Sequence, residues 1–160
     1  MRRLIVLRHA KSDWDAGASN DHERPLNKRG LREAPSTAAQ LLELGFVPDY
    51  ITSSDSTRTR ETLEAMRPCF DSVPVQFDRR FYLTDLDAVR ELAAELPADV
   101  RTWMIVGHNP GWEDLVSVLT QTQVEMKTAY AAVLEGEAER FDQLLVGRVL
   151  TLAKLVVPAG

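Results

Sequence analysis

Leu4-Ile5-Val6-Leu7-Arg8-His9-Ala10-Lys11-Ser12 is the stretch on which the reading of this chain turns. Four aliphatic residues in succession, with no polar alternation, predict a strand covered on both faces, as strands of a parallel sheet are. Arg8 and His9 end the run abruptly. That spacing sets a fixed cation beside an imidazole at the carboxyl end of a strand, the edge at which open α/β sheets bind ligands. Imidazole is a nucleophile near neutral pH, and guanidinium is a planar fork that matches phosphate oxygens. Arg-His is also a common dipeptide, and a strand end with a solvated arginine has the same letters. The rest of the chain decides between the two.

The 160 residues amount to one core, so a single domain spanning 1–160 is expected. Hydrophobic residues make up 44%, which argues against disorder. The net charge is −5 with no basic block, so nucleic acid is not an expected partner. Met1-Arg2-Arg3 ahead of Leu4 to Leu7 imitates a signal peptide, but the apolar run is too short. Nothing approaches membrane-spanning length, so no membrane association is expected. Cys69 is the single cysteine, which rules out an internal disulfide and deprives a thiolate zinc site of ligands. These features suit a reducing cytoplasm, with Cys69 as inert packing near a helix end.

Strand and helix patterns alternate along the chain. After the first strand, residues 13–26 read as a polar loop with Trp14, Gly17 and Pro25. A helix is expected from Asn27, a good N-cap, to Gly45, with Leu31, Ala34, Ala38, Leu41 and Leu42 on one face. Pro35 conflicts with it and predicts a kink or a restart. Asp49 to Thr52 read as a second strand, giving way to Ser53-Ser54-Asp55-Ser56. A helix from about Ser56 to Met66 follows, stopped by Pro68. Val75 to Phe77 form a third strand. Asp87 to Leu96 form a helix with Ala88, Val89, Leu92, Ala93 and Leu96 on one face and Arg90 and Glu91 on the other. Thr102 to Val106 is a fourth strand, followed by the turn Gly107-His108-Asn109-Pro110-Gly111 and a helix to about Leu119. Tyr130 to Leu134 and Val149 to Val156 add two late strands. This order predicts a three-layer α/β/α sandwich around a mostly parallel sheet.

Three strand exits then carry chemistry: Arg8-His9, Ser53-Ser54 running into a helix with Arg58 and Arg60, and Gly107-His108-Asn109. If the strands are parallel, two histidines and at least two arginines share one cleft, a setting for an anion and above all for phosphate. Helix N-termini after these turns add N–H donors and a favourable dipole. Arg8-His9-Ala10-Lys11-Ser12 resembles the Arg-His-Gly-x-[Ser/Thr] hallmark of the histidine phosphatase, or phosphoglycerate-mutase-like, superfamily, with Ala10 where glycine is usual. Asp21-His22-Glu23-Arg24-Pro25-Leu26-Asn27-Lys28-Arg29-Gly30, the Ser53-to-Thr62 block and Val106-Gly107-His108-Asn109-Pro110 resemble further blocks, in order, of the small SixA-type phosphohistidine phosphatases. The likeness runs from residue 4 to about 115.

The resemblance implies His9 as the nucleophile, with Arg8, Arg58 and His108 holding phosphoryl oxygens. The chemistry agrees, because phosphoryl transfer needs in-line positioning and charge neutralisation, and arginine holds two oxygens without losing its charge. His9 must be neutral at its attacking nitrogen, so a backbone carbonyl is expected to accept from the other nitrogen. His108, if protonated, is a third positive donor; a turn cap is its plain structural alternative. Ser12 and Asn109 are candidate phosphate donors, and Arg24 either reaches the pocket or pins its loop. Arg60 and His22 are expected at the surface or rim. Trp14 and Trp112 suit a pocket wall or core packing.

Mutase-type relatives carry a proton-donating glutamate after the third strand, and Arg80-Phe81-Tyr82-Leu83-Thr84-Asp85-Leu86-Asp87 has none. Asp85 and Asp87 are the candidate substitutes, with Asp87 equally a helix N-cap. An imidazole leaving group, with a pKa of about 6.5, needs a proton far less than an alkoxide does. The sequence therefore favours a phosphohistidine phosphatase working through a phosphohistidine on His9, acting on a phosphohistidine-bearing protein or a small phosphorylated substrate. The alternatives are a phosphatase of small esters or anhydrides, or a catalytically weak phospho-ligand binding module. No metal or other cofactor is expected, since cysteine is effectively absent and no carboxylate cluster flanks the histidines.

Overall fold

A computed structural model describes residues 1–83 and 85–159. Six strands form one sheet: β1 (Arg2–Arg8), β2 (Tyr50–Ser53), β3 (Val75–Phe77), β4 (Thr102–Gly107), β5 (Ala131–Gly136) and β6 (Thr151–Val156), in the order β3-β2-β4-β1-β5-β6. The pairs β1–β4, β2–β4 and β2–β3 are parallel, whereas β5 is antiparallel to both β1 and β6. The sheet is thus mostly parallel, with β5 reversed.

Alternate side chains of β1 feed two cores, because successive residues of a strand point to opposite faces. Leu4 and Val6 pack with Trp103, Ile105, Trp112 and Leu115 on one face. Ile5 and Leu7 pack with Ala34, Leu41, Met66 and Met104 on the other. Helices α1 (Lys28–Glu43) and α2 (Thr57–Phe70) cover the second face. Helices α3 (Leu86–Ala94), α4 (Gly111–Thr120) and the short α5 (Phe141–Leu144) cover the first. This is the expected three-layer arrangement. A fully buried aliphatic side chain contributes about 1.5–3 kcal/mol, so an apolar run in the middle of the sheet fixes the strand's place. No helix among the described residues is long and apolar enough to cross a membrane.

Several local expectations are corrected. Helix α1 starts at the Asn27 cap but runs through Pro35 without restarting. Pro35 is exposed, so its ring faces water, and packing of Ala34, Thr37, Ala38 and Leu41 carries the helix past the lost hydrogen bond. Leu31 and Leu42 are about half exposed (52% and 47%), so the buried face of α1 is narrower than its apolar letters. Likewise α2 continues through Pro68 to Phe70, which is buried. Asp85, rather than Asp87, is the N-cap of α3, accepting from Ala88 N–H at 3.0 Å. Neither α5 nor the 3-10 turns at Asp21–Glu23 and Arg79–Phe81 were among the expected elements.

Strand register aligns the chemical exits. Arg8 lies beside Gly107, and Ser53 beside Val106. His9 N–H donates to Gly107 O (3.1 Å) and Ser54 N–H to Val106 O (2.9 Å), so the three chains leave the sheet side by side.

Candidate active site

His9 follows β1 and is 6% exposed. Its Nδ1 lies 2.7 Å from the Ala10 carbonyl oxygen. A carbonyl only accepts, so Nδ1 carries the proton and Nε2 keeps its lone pair. Burial, together with His108, Arg58 and Arg8 nearby, pushes the His9 pKa down to about 3, leaving a neutral ring near pH 7. Ala10 is fully buried in the core beneath α1 and α2, and its N–H donates to Thr62 Oγ1 at 3.0 Å. A methyl group is therefore accommodated where glycine is usual.

Arg58 sits in the first turn of α2, which Ser56 caps. Its Nη1 donates to the Asp21 carbonyl (2.7 Å) and its Nη2 to Asp21 Oδ2 (3.0 Å). Arg24 donates through Nη2 to Asp21 Oδ1 (2.8 Å) and through Nη1 to Ser12 Oγ, so it both lines the cleft and pins its loop. Arg8 donates through Nη1 to the Met126 carbonyl at 3.0 Å. The Nε atoms of Arg8, Arg24 and Arg58 are all buried with no partner among the described residues. Buried donors of this kind carry a desolvation cost.

His108 Nε2 lies 2.9 Å from Ser54 Oγ, and its ring centroid is 5.2 Å from that of His9. Its Nδ1 is buried without a partner among the described residues. Burial first, and Arg58 next, push its pKa to about 3, so without an anion beside it His108 is a neutral ring, and it becomes a positive donor only where an anion draws a proton onto it. Asn109 donates from Nδ2 to the Met126 carbonyl (2.8 Å), leaving Oδ1 buried and unpartnered.

Arg8, His9, Ser12, Arg24, Arg58, His108 and Asn109 line one cleft of about 230 Å³. Lys11, Trp14 and Thr128 complete it; no role was read for Lys11 or Thr128 in the sequence. Trp14 is 72% exposed, with the Arg24 guanidinium 3.5 Å above its ring, whereas Trp112 is a fully buried core residue. The two tryptophans thus divide between wall and core. His22 pairs with Asp55 at 2.9 Å, half-buried at the rim, and Arg60 is exposed against Phe77. Asp85 and Asp87 do not join the cleft: Asp85 caps α3, and Asp87 is exposed, 3.9 Å from Arg90.

Sequence reasoning missed Asp21 and Tyr82. The Tyr82 hydroxyl donates to Asp21 Oδ2 at 2.5 Å. That bond first, then Arg24 and Arg58, hold the Asp21 carboxyl well below the usual carboxylate range, so it stays ionised. An Asp three residues before Arg24 on a tight turn was the available signal, but its partner Arg58 is 37 residues away. No group of three or more His, Cys, Asp and Glu side chains placed to hold a metal occurs among the described residues.

The comparisons with known proteins agree with this geometry. The profile of the histidine phosphatase superfamily (branch 1) matches residues 4–119. The chain belongs to that superfamily. An uncharacterized chloroplastic protein of Arabidopsis thaliana is 38% identical over 152 residues, covering 89% of this chain and 70% of that protein. A candidate phosphohistidine phosphatase SixA from Agrobacterium tumefaciens superposes with a TM-score of 0.82 at 26% identity, over 98% of both chains. A second SixA candidate, from Nakamurella multipartita, superposes at 0.87 with 24% identity, over 99% of this chain and 97% of its own.

Proposed function

We propose that this phosphatase acts on phosphohistidine, taking the phosphoryl group onto His9 and passing it to water. One observation carries the reading. His9 presents a neutral ring whose Nδ1–H is bound to the Ala10 carbonyl, next to guanidinium nitrogens that are buried without partners. His9 Nε2 attacks phosphorus while Arg8, Arg58, Arg24 and His108 neutralise the phosphoryl oxygens. Arg58 must turn part of its fork from Asp21 to the phosphate. Histidine as the substrate follows from the cleft's acid supply. Among the described residues no carboxylate lines it, Asp85 is spent on a helix cap, and Asp21 is held ionised. A leaving group that departs without a strong acid fits such a site, and imidazole is one.

The test is to quench the enzyme during turnover of a phosphohistidine peptide and map the phosphate. An acid-labile, base-stable adduct on His9, absent from His9→Ala, is expected. Phosphate on Ser12, Ser53 or Ser54 overturns the assignment. Good turnover of phosphate anhydrides alongside poor turnover of the peptide favours a small-molecule phosphatase instead.

A further inference from the structure

Trp14 stands apart from the other residues that line the cleft. Arginine and lysine bring charge to it, and the two histidines, Ser12, Asn109 and Thr128 bring polar groups; the indole alone brings a broad apolar face. The rest of the lining is buried or half-buried, whereas Trp14 is largely exposed. It joins neither hydrophobic core among the described residues, so packing does not account for it. One of its faces is taken. The Arg24 guanidinium carbon lies 3.5 Å from the ring centroid, and Arg24 is itself tied to Ser12 and Asp21. The stack steadies the indole, and so exposed a ring keeps its other face open to water.

Direction matters next. In-line displacement sets the leaving group opposite the attacking nitrogen. His9 is buried, so a group opposite it lies toward the open side of the cleft, where the exposed indole stands. Once cations hold the phosphoryl oxygens, what remains of a phosphohistidine to be recognised is a planar ring with apolar faces. A second hollow of about 270 Å³ shares Trp14 and Arg24 with the cleft, which gives a chain carrying that ring room to continue past the indole.

We propose that Trp14 selects the leaving group, packing its open indole face against the planar ring that departs from phosphorus; this rests on the His9 reading above. Aromatic rings gain from such contact beyond the area they bury. The cleft then favours ring-bearing phosphoryl donors over ringless ones of equal reactivity.

The test compares kcat/KM in wild type, Trp14→Ala and Trp14→Phe. Two substrates carry a ring, a phosphohistidine peptide and 4-nitrophenyl phosphate; two do not, phosphoramidate and acetyl phosphate. Trp14→Ala should lose about two- to tenfold on both ringed substrates, the scale of one aromatic pair, and change little on the ringless two. Trp14→Phe should keep most of what Trp14→Ala loses. Equal losses on all four substrates overturn the proposal, since Trp14 would then act only by steadying Arg24. No loss on any, or a loss on the peptide alone, also overturns it. Calorimetry of phenylphosphonate against methylphosphonate gives the same contrast without turnover: the wild type should prefer the phenyl compound and Trp14→Ala should lose that preference, whereas a preference retained in Trp14→Ala is an overturning result. If the wild type cleaves 4-nitrophenyl phosphate but not the peptide, the phosphohistidine reading falls, and the contrast between 4-nitrophenyl phosphate and acetyl phosphate still decides the role of Trp14.

Discussion

His9 and His108 meet the same physical demand, since each is an imidazole kept neutral by burial among cations. With folded pKa values near 3 against about 6.5 in the unfolded chain, the unfolded state takes up protons first as pH falls. Their effect on stability is absent above about pH 6.5 and grows as a loss as the pH falls toward 3. Urea midpoints measured between pH 7 and 4.5 should fall in wild type and fall less steeply in His108→Asn; equal slopes would place the acid sensitivity elsewhere. Arg58→Ala should slow phosphoenzyme formation by about 10²–10³, the usual cost of one transition-state charge donor. Asp21→Asn acts oppositely on the same group. It leaves Arg58 less occupied, so inorganic phosphate should inhibit the variant at lower concentration than wild type. Unchanged inhibition would mean that Asp21 does not compete with the anion.

Helix α1 shows how an element far from the chemistry sets it. A Cβ on Gly30 would lie 2.2 Å from the Lys11 carbonyl oxygen, a backbone atom two residues after His9. Gly30→Ala must push α1 away or displace the Ala10–Ser12 segment, so both thermal midpoint and kcat/KM should drop; an active variant of wild-type stability would show that the two backbones slide freely. Pro35→Ala restores a donor to an exposed helical position and should raise stability, by up to the roughly 3 kcal/mol that an interior proline costs. The sequence made this helix legible through Asn27 and its apolar spacing, yet misjudged Pro35, Pro68, Leu31 and Leu42. In each case the local rule was sound and tertiary packing outweighed it. The residues at the strand exits were legible because short apolar runs end directly at them. Asp21, Tyr82 and the Met126 carbonyl were not, because their partners are distant in sequence and only the fold brings them together.

At the scale of the molecule, the segment between β3 and β4 holds only a 3-10 turn and α3 among the described residues. No large cap is inserted there, which suits a substrate carried on another protein. Phosphohistidine within a folded protein should therefore turn over about as fast as in a short peptide, whereas alkyl phosphates should lag by about 10²–10⁴, the usual contribution of general acid catalysis. Brisk alkyl turnover, lost in Asp85→Asn or Asp87→Asn, would reveal an acid after all. The order of the strands has a further consequence, this time for synthesis. β1 is made well before its neighbours, which are residues 102–107 and 131–136. At about 5–20 residues per second, Leu4 to Leu7 wait several seconds after emerging from the ribosome before any partner strand exists. The segment that ends at His9 is, in the nascent chain, an uncovered apolar strand, and a holding chaperone would find a binding site there.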